Sequence, residues 1–159
     1  MMERFAKRLE FLLKAIVLIL LGCLVVLVFM QVVLRYVFSY GIAWSEEMSR
    51  YLFVWSVFLS IAVAVKQKSH LMLEYFVNKS AKFKPYFHAL YYVAYFLFFS
   101  VVFYYGIIYT ISGHGAKSAL LPLRLSAVYS AVPVCALLSS FFLVVELIGK
   151  WKIKRRNGD

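Results

Sequence analysis

The residues able to do chemistry in this chain are few, and their spacing restricts what they could do. Cys23 and Cys135 are the only cysteines, too few and too isolated for a redox motif or a structural zinc site, both of which need thiols in groups. His70, His88 and His114 fall at or beyond the ends of apolar runs, so no histidine pair stands mid-membrane where it could hold a haem between helices. No acid interrupts the middle of an apolar run, and Glu146 lies close enough to the end of the last one to reach the interface. A proton-coupled carrier usually needs such a buried group. A membrane-bound enzyme would need a convergent set of reactive side chains. A stand-alone small transporter would need a midplane site, commonly built from interrupted helices in repeated halves. The chain is therefore expected to carry no catalytic, cofactor-binding or metal-binding residues.

The densest polar constellation is Arg35, then Trp44-Ser45-Glu46-Glu47, then Arg50. It gathers two cations and two anions near the ends of the first two apolar runs, with Glu46 four residues before Arg50. On a helix that order is favourable, yet an exposed pair contributes only a few tenths of a kcal/mol. The spacing admits two readings. One is a solvated helix start with a local ion pair. The other is a polar docking patch, in which Arg35 and Arg50 neutralise Glu46 and Glu47 against another membrane subunit.

The elements that carry these residues follow from composition. In 159 residues, 64% are apolar and 16% charged, with a mean hydropathy of +0.83, which leaves too little polar surface for a soluble domain of this size. The apolar residues form four blocks, Ala15 to Leu34, Tyr51 to Val65, Phe87 to Ile111 and Ala127 to Ile148. About 20 apolar residues cross about 30 Å of hydrocarbon as a helix. The first, third and fourth blocks reach that length, and the second does so if its helix starts near Ser45, with Ser45 as cap and the two acids in the first turn. Membrane-barrel strands would alternate apolar and polar residues, whereas Ile16 to Met30 has no charge and no alternation. Nor does the first block read as a cleaved signal peptide: its apolar run is too long and the following stretch offers no small-x-small cleavage site. The expectation is an all-α integral membrane protein, one domain over 1–159 with spans at about 15–36, 45–65, 87–111 and 126–149.

Orientation follows from the 18 Lys and Arg residues. Four precede the first span, five lie between the second and third spans and five follow the fourth. Only Arg35, Arg50, Lys117 and Arg124 lie on the other side. The positive-inside rule makes the crowded side cytoplasmic and puts both termini there. The net charge of +11 is thus explained by topology and membrane lipid, without nucleic acid. Between Lys66 and Pro85, the apolar residues Leu71, Met72, Tyr75 and Phe76 share a helical face and predict an interfacial helix on the cytoplasmic surface. Pro133 falls inside the fourth span, where its missing N–H predicts a kink. The aromatic residues lean toward span ends, as Trp44, Tyr86, Tyr129 and Trp151 do, which is the pattern of an interfacial belt.

Taken together, Arg35-Tyr36, Trp44-Ser45-Glu46-Glu47, Arg50, Trp55, Ala62 to Val65, and His70 with Glu74 closely resemble the small membrane (Q) subunit of tripartite ATP-independent periplasmic (TRAP) transporters. The resemblance extends to the Tyr-rich third span, Gly106 and the stretch from Tyr129 to Pro133. The chain departs in carrying Ser60 where Gly is common and Glu74 where Asp is common. What the resemblance implies is a non-catalytic scaffold in the bacterial inner membrane. A large membrane subunit would move substrate and sodium, and a periplasmic binding protein would deliver an organic acid such as a dicarboxylate or a sialic acid. It also implies a partner interface at Arg35, Trp44, Glu46, Glu47 and Arg50, with His70, Glu74 and Pro133 in structural roles.

Overall fold

The computed structural model describes residues 2–79 and 84–156, with side chains described over 4–67, 90 and 92–149. The described residues form five helices: α1 (Met2–Val37), α2 (Ala43–Lys79), α3 (Lys84–Ser112), α4 (Leu125–Tyr129) and α5 (Ala131–Arg156). Among the described residues, four segments are long and apolar enough to cross a membrane, Arg4–Val37, Ala43–Gln67, Tyr92–Ser112 and Leu125–Gly149. The chain is an all-α, multi-pass membrane protein.

The boundaries have local causes. α1 stops where Ser39 takes a left-handed conformation (φ 51°), and the Tyr40 and Phe38 amides turn back to the Leu34 carbonyl at 3.0 and 3.2 Å. The left-handed residue lets the chain wrap back over the last turn, and such a position usually takes Gly. α2 starts at Ala43, two residues before the expected cap. Ser45 does not cap it: its hydroxyl donates to the Ile42 carbonyl at 2.6 Å.

Among the described residues, the segment expected to form a separate interfacial helix between the second and third spans does not do so. As far as Lys79, that segment is the continuation of α2. No Gly or Pro occurs from Ala43 to Lys84, so nothing in the backbone chemistry breaks the ladder where the apolar run ends. The side chains of His70 and Glu74, and of the apolar face expected there, lie outside the described residues.

The fourth span is interrupted as its proline predicts. Pro133 has no N–H for the Tyr129 carbonyl, and the helix breaks at Ser130, between α4 and α5. The ladder resumes with the Val134 amide donating to the Ser130 carbonyl at 3.2 Å. The Ser130 hydroxyl donates to the freed end of α4, at the Ala127 carbonyl, 2.8 Å away.

α1 packs along α2, α2 along α5, and α5 along α3. Among the described residues α1 and α3 do not pack on each other, so α2 and α5 form the centre and the other two long helices flank them. Small side chains let the central pair approach closely: Ala62 on α2 and Ala136 and Ser139 on α5 are almost fully buried. One apolar cluster joins Ala6 and Leu13 of α1, Leu59 and Val63 of α2, and Phe142 and Val145 of α5. A second joins Val65 of α2, Phe99 of α3 and Ala136 of α5. On the far side of α5, Gly106 admits α3: a Cβ there would stand 3.0 Å from Pro133 Cδ and 3.1 Å from its nitrogen. The lipid-exposed sides are broadly apolar, with Leu18, Val25, Val26 and Phe29 of α1 all more than half exposed.

Candidate docking site

The contacts fix which chain segments share an end of the bundle. At one end Lys66 of α2 reaches Glu10 of α1 at 3.9 Å and packs its ammonium over the Phe142 ring of α5, 5.2 Å from the centroid. This is the end nearer the termini of the described chain. At the opposite, distal end lie the α1–α2 turn, the loop from Gly113 to Arg124, and the start of α4. Arg35, Trp44, Glu46, Glu47 and Arg50 are all at the distal end, on α1 and α2.

The structure brings only part of this set together. Glu46 and Arg50 form the i,i+4 pair at 4.0 Å, with side chains 74% and 70% exposed. At that separation and exposure the pair contributes little to stability. Arg35 is exposed and makes no ion pair among the described residues, and Trp44 is 43% exposed. Glu47 faces the other way. One carboxylate oxygen accepts the Tyr51 hydroxyl at 2.6 Å and the other accepts the Leu120 amide at 3.1 Å. It thereby ties the start of α2 to the distal loop, while the other four residues of the set remain open to the surroundings.

That loop is itself ordered by backbone pairing. Lys117 and Arg124 form an antiparallel bridge. The Ser118 amide donates to the Leu123 carbonyl at 3.0 Å, and the Leu125 amide to Ala116 at 3.2 Å. The Ser118 hydroxyl accepts the Leu121 amide at 3.2 Å, and Arg124 Nη1 contacts His114 Nε2. Below it, the Trp55 indole N–H donates to the Ala127 carbonyl at 3.2 Å, joining α2 to α4. Gly113 closes the seam between α3 and α4, since a Cβ there would lie 2.6 Å from the Tyr129 ring. The result is a fixed distal surface on which Arg35, Trp44, Glu46 and Arg50 are presented. Pro133 lies on α5, one turn beyond the break at Ser130.

Two structural contacts escape a reading of the sequence alone. Glu10 pairs with Lys14 at 2.6 Å as well as with Lys66. Its i,i+4 relation to Lys14 is legible in the sequence, whereas its reach to α2 depends on how the helices pack. The Glu47 contact with Leu120 joins the start of α2 to a loop far along the chain and leaves no local signal at all. A shallow groove of about 280 Å³ runs between α1 and α2, lined by Leu21, Ser56, Val57, Ser60, Ile61 and Ala64. Its two hydroxyls are already committed within α2, Ser56 to the Leu52 carbonyl at 2.7 Å and Ser60 to the Ser56 carbonyl at 2.6 Å.

Four apolar helices with a polar distal surface define a multi-span membrane component. Residues 24–153 match the family model of the DctQ component of tripartite ATP-independent periplasmic transporters. The chain belongs to that family, whose members are transporter components. Two proteins of Haemophilus influenzae, each named as a candidate TRAP transporter small permease protein, are similar to it. One is 39% identical over 83 residues, 52% of each chain. The other is 39% identical over 71 residues, 45% of this chain and 43% of the relative. The matches span about half the length of these curated relatives.

Proposed function

We propose that this chain is the non-catalytic scaffold subunit of a sodium-coupled transporter importing an organic acid, such as a dicarboxylate or a sialic acid, across the bacterial inner membrane. On this reading both termini are cytoplasmic and the distal surface is periplasmic. A large membrane subunit carries substrate and sodium, a periplasmic binding protein delivers the substrate, and this chain anchors the static part of the large subunit.

The observation that carries the proposal is how the centre of the protein is filled. Between α2 and α5 the space is taken by Ala62, Ala136, Ser139 and Leu143, all nearly inaccessible. An organic anion would need polar or cationic groups facing a common cavity near the midplane. The groove between α1 and α2 instead offers side chains whose polar atoms are satisfied by their own helix. Such a body suits support better than passage. Docking is assigned to Arg35, Trp44, Glu46 and Arg50, with Glu47 holding the loop that frames them.

Reconstitution tests the proposal. Liposomes holding this chain alone should show no uptake under a sodium gradient, and liposomes holding the large subunit alone should show little. Sodium-dependent uptake should require both, together with the binding protein. Substrate flux through the isolated chain would overturn the scaffold assignment, and so would full activity of the large subunit without it.

A further inference from the structure

At the end of the bundle near the termini, the first turns of α1 carry cations that the fold leaves unused. Ala6 is fully buried and Leu13 is 6% exposed, which fixes one side of the helix against α2 and α5. Glu10 borders that side and is occupied by Lys14 and Lys66. Arg4, Lys7 and Arg8 are exposed and enter no ion pair among the described residues. On a helix of 3.6 residues per turn, Arg4, Lys7, Arg8 and Phe11 stand at i, i+3, i+4 and i+7, a single stripe. It faces away from Ala6 and Leu13, and Phe11 at its foot is 71% exposed.

The height of this stripe follows from helix geometry. The uncharged run from Ala15 to Leu34 is about 30 Å long at 1.5 Å per residue, the thickness of the hydrocarbon layer. Lys14 therefore marks the hydrocarbon edge, with Phe11 about 4 to 5 Å above it, Lys7 and Arg8 about 9 to 11 Å, and Arg4 about 15 Å. The polar layer on each side of the hydrocarbon is roughly 5–8 Å thick, and long basic side chains reach back several ångströms along their own stems.

We infer that Arg4, Lys7 and Arg8, with Phe11 at their foot, form a binding surface for the phosphodiester headgroups of anionic phospholipids in the leaflet at that end. Guanidinium groups match phosphate oxygens in pairs. At about 4 to 5 Å above the hydrocarbon edge, Phe11 stands within the interfacial layer, where an aromatic side chain gains from its mixed surroundings. Packing at Ala6 and Leu13 and the Glu10–Lys66 contact hold α1 against its neighbours, so the cations keep a fixed spacing. A dissolved phosphate would meet the same cations but not the apolar foot of the stripe. The inference rests on the membrane fold and is independent of any transport role.

The test uses the full chain in phosphatidylcholine nanodiscs doped with spin-labelled phosphatidylglycerol or spin-labelled phosphatidylcholine, reading the motionally restricted fraction of each label. The two leaflets of a disc are alike, so the direction of insertion does not matter. The anionic label should be preferred at low salt, and the preference should shrink as salt rises. Replacing all three cations (Arg4→Gln, Lys7→Gln, Arg8→Gln) should cut it at least about fivefold, the ratio expected from a single cation at a lipid surface. The charge-conserving variant Arg4→Lys/Arg8→Lys should keep most of it, and Lys117→Gln/Arg124→Gln at the distal end should leave it unchanged. A preference that survives the triple replacement would overturn the inference, as would one lost equally in the distal variant. Displacement by inorganic phosphate at matched ionic strength would show a site for a soluble anion and overturn it as well.

Discussion

Two glycines in long apolar helices make a paired experiment, because adding the same methyl group should have opposite effects. Gly22 on α1 has nothing within 4 Å of a built Cβ, whereas at Gly106 on α3 the same atom meets Pro133 Cδ at 3.0 Å, Pro133 N at 3.1 Å and Val132 Cγ1 at 3.1 Å. Both changes to Ala gain the same helix propensity, about 1 kcal/mol. At Gly22 that gain stands alone. At Gly106 it is opposed by overpacking against a proline ring and backbone that cannot rotate aside, a cost of about 1–3 kcal/mol. The propensity gain cancels in the difference between the variants, leaving the overpacking cost. At about 2–4 °C per kcal/mol for a chain of this size, Gly106→Ala should melt roughly 2–12 °C below Gly22→Ala in one detergent. Intrinsic fluorescence during heating reads this directly, and Gly106→Leu should fall further still. Equal midpoints for the two alanine variants would mean that α3 does not approach the α4–α5 junction through Gly106, and the packing order of the helices would have to be redrawn.

Other consequences can be checked separately. Glu47→Ala leaves the Leu120 amide without its acceptor, so hydrogen exchange at Leu120 and its loop neighbours should accelerate at least tenfold. Glu46→Ala should not change it; equal acceleration in both would show that the loop is held by general charge and not by the Glu47 contact. Glu46→Lys should weaken copurification with the large subunit while leaving that loop protected, and the swap Glu46→Lys/Arg50→Glu should not restore it, because docking reads the pattern of charge toward a partner. Retention of the complex by the single variant would reduce the patch to a solvated helix start. Single cysteines at Tyr40 and Ser112, with Cys23 and Cys135 replaced, should react with an impermeant thiol reagent added to intact cells, and one at Lys82 should not; the reverse would overturn the orientation. Ser39→Gly relieves a left-handed serine at the end of α1 and should stabilise by up to about 1 kcal/mol, read as a raised melting point, whereas Ser39→Val should lower it.

The four spans were legible because hydrocarbon imposes a length and excludes charge, and those two demands are written directly into Ala15 to Leu34 and its counterparts. The interruption of the fourth span was equally visible, since Pro133 removes a donor wherever it sits. The end of the second helix was not. An apolar pattern that stops at Val65 marks where lipid stops, whereas a helix stops only where its backbone is capped or broken, and α2 runs on to Lys79 through a stretch without Gly or Pro. The candidate site was half legible for a similar reason. Glu46 and Arg50 meet through a local spacing of four. The adjacent Glu47 points to Leu120 because the distal loop folds over it, and that loop has no pattern that predicts its path. Ser45 shows the limit of cap reasoning: a serine before two glutamates has the composition of a helix start, but the chain had already begun to coil at Ala43.

The central position of α2 and α5 also distributes constraint unevenly along the sequence. On α5 each of Ala136, Ser139, Phe142 and Leu143 answers to particular neighbours, so its identity is specified by shape. On the outward side of α1, Leu18, Val25, Val26 and Phe29 answer, within this chain, only to the requirement of dissolving in hydrocarbon, which many side chains satisfy equally well. The first span thus carries a composition where the last carries a text. Drift among apolar residues can rewrite that outer face freely as long as lipid is its only reader. Any position there that resists rewriting marks where a neighbouring protein, and not the bilayer, reads it.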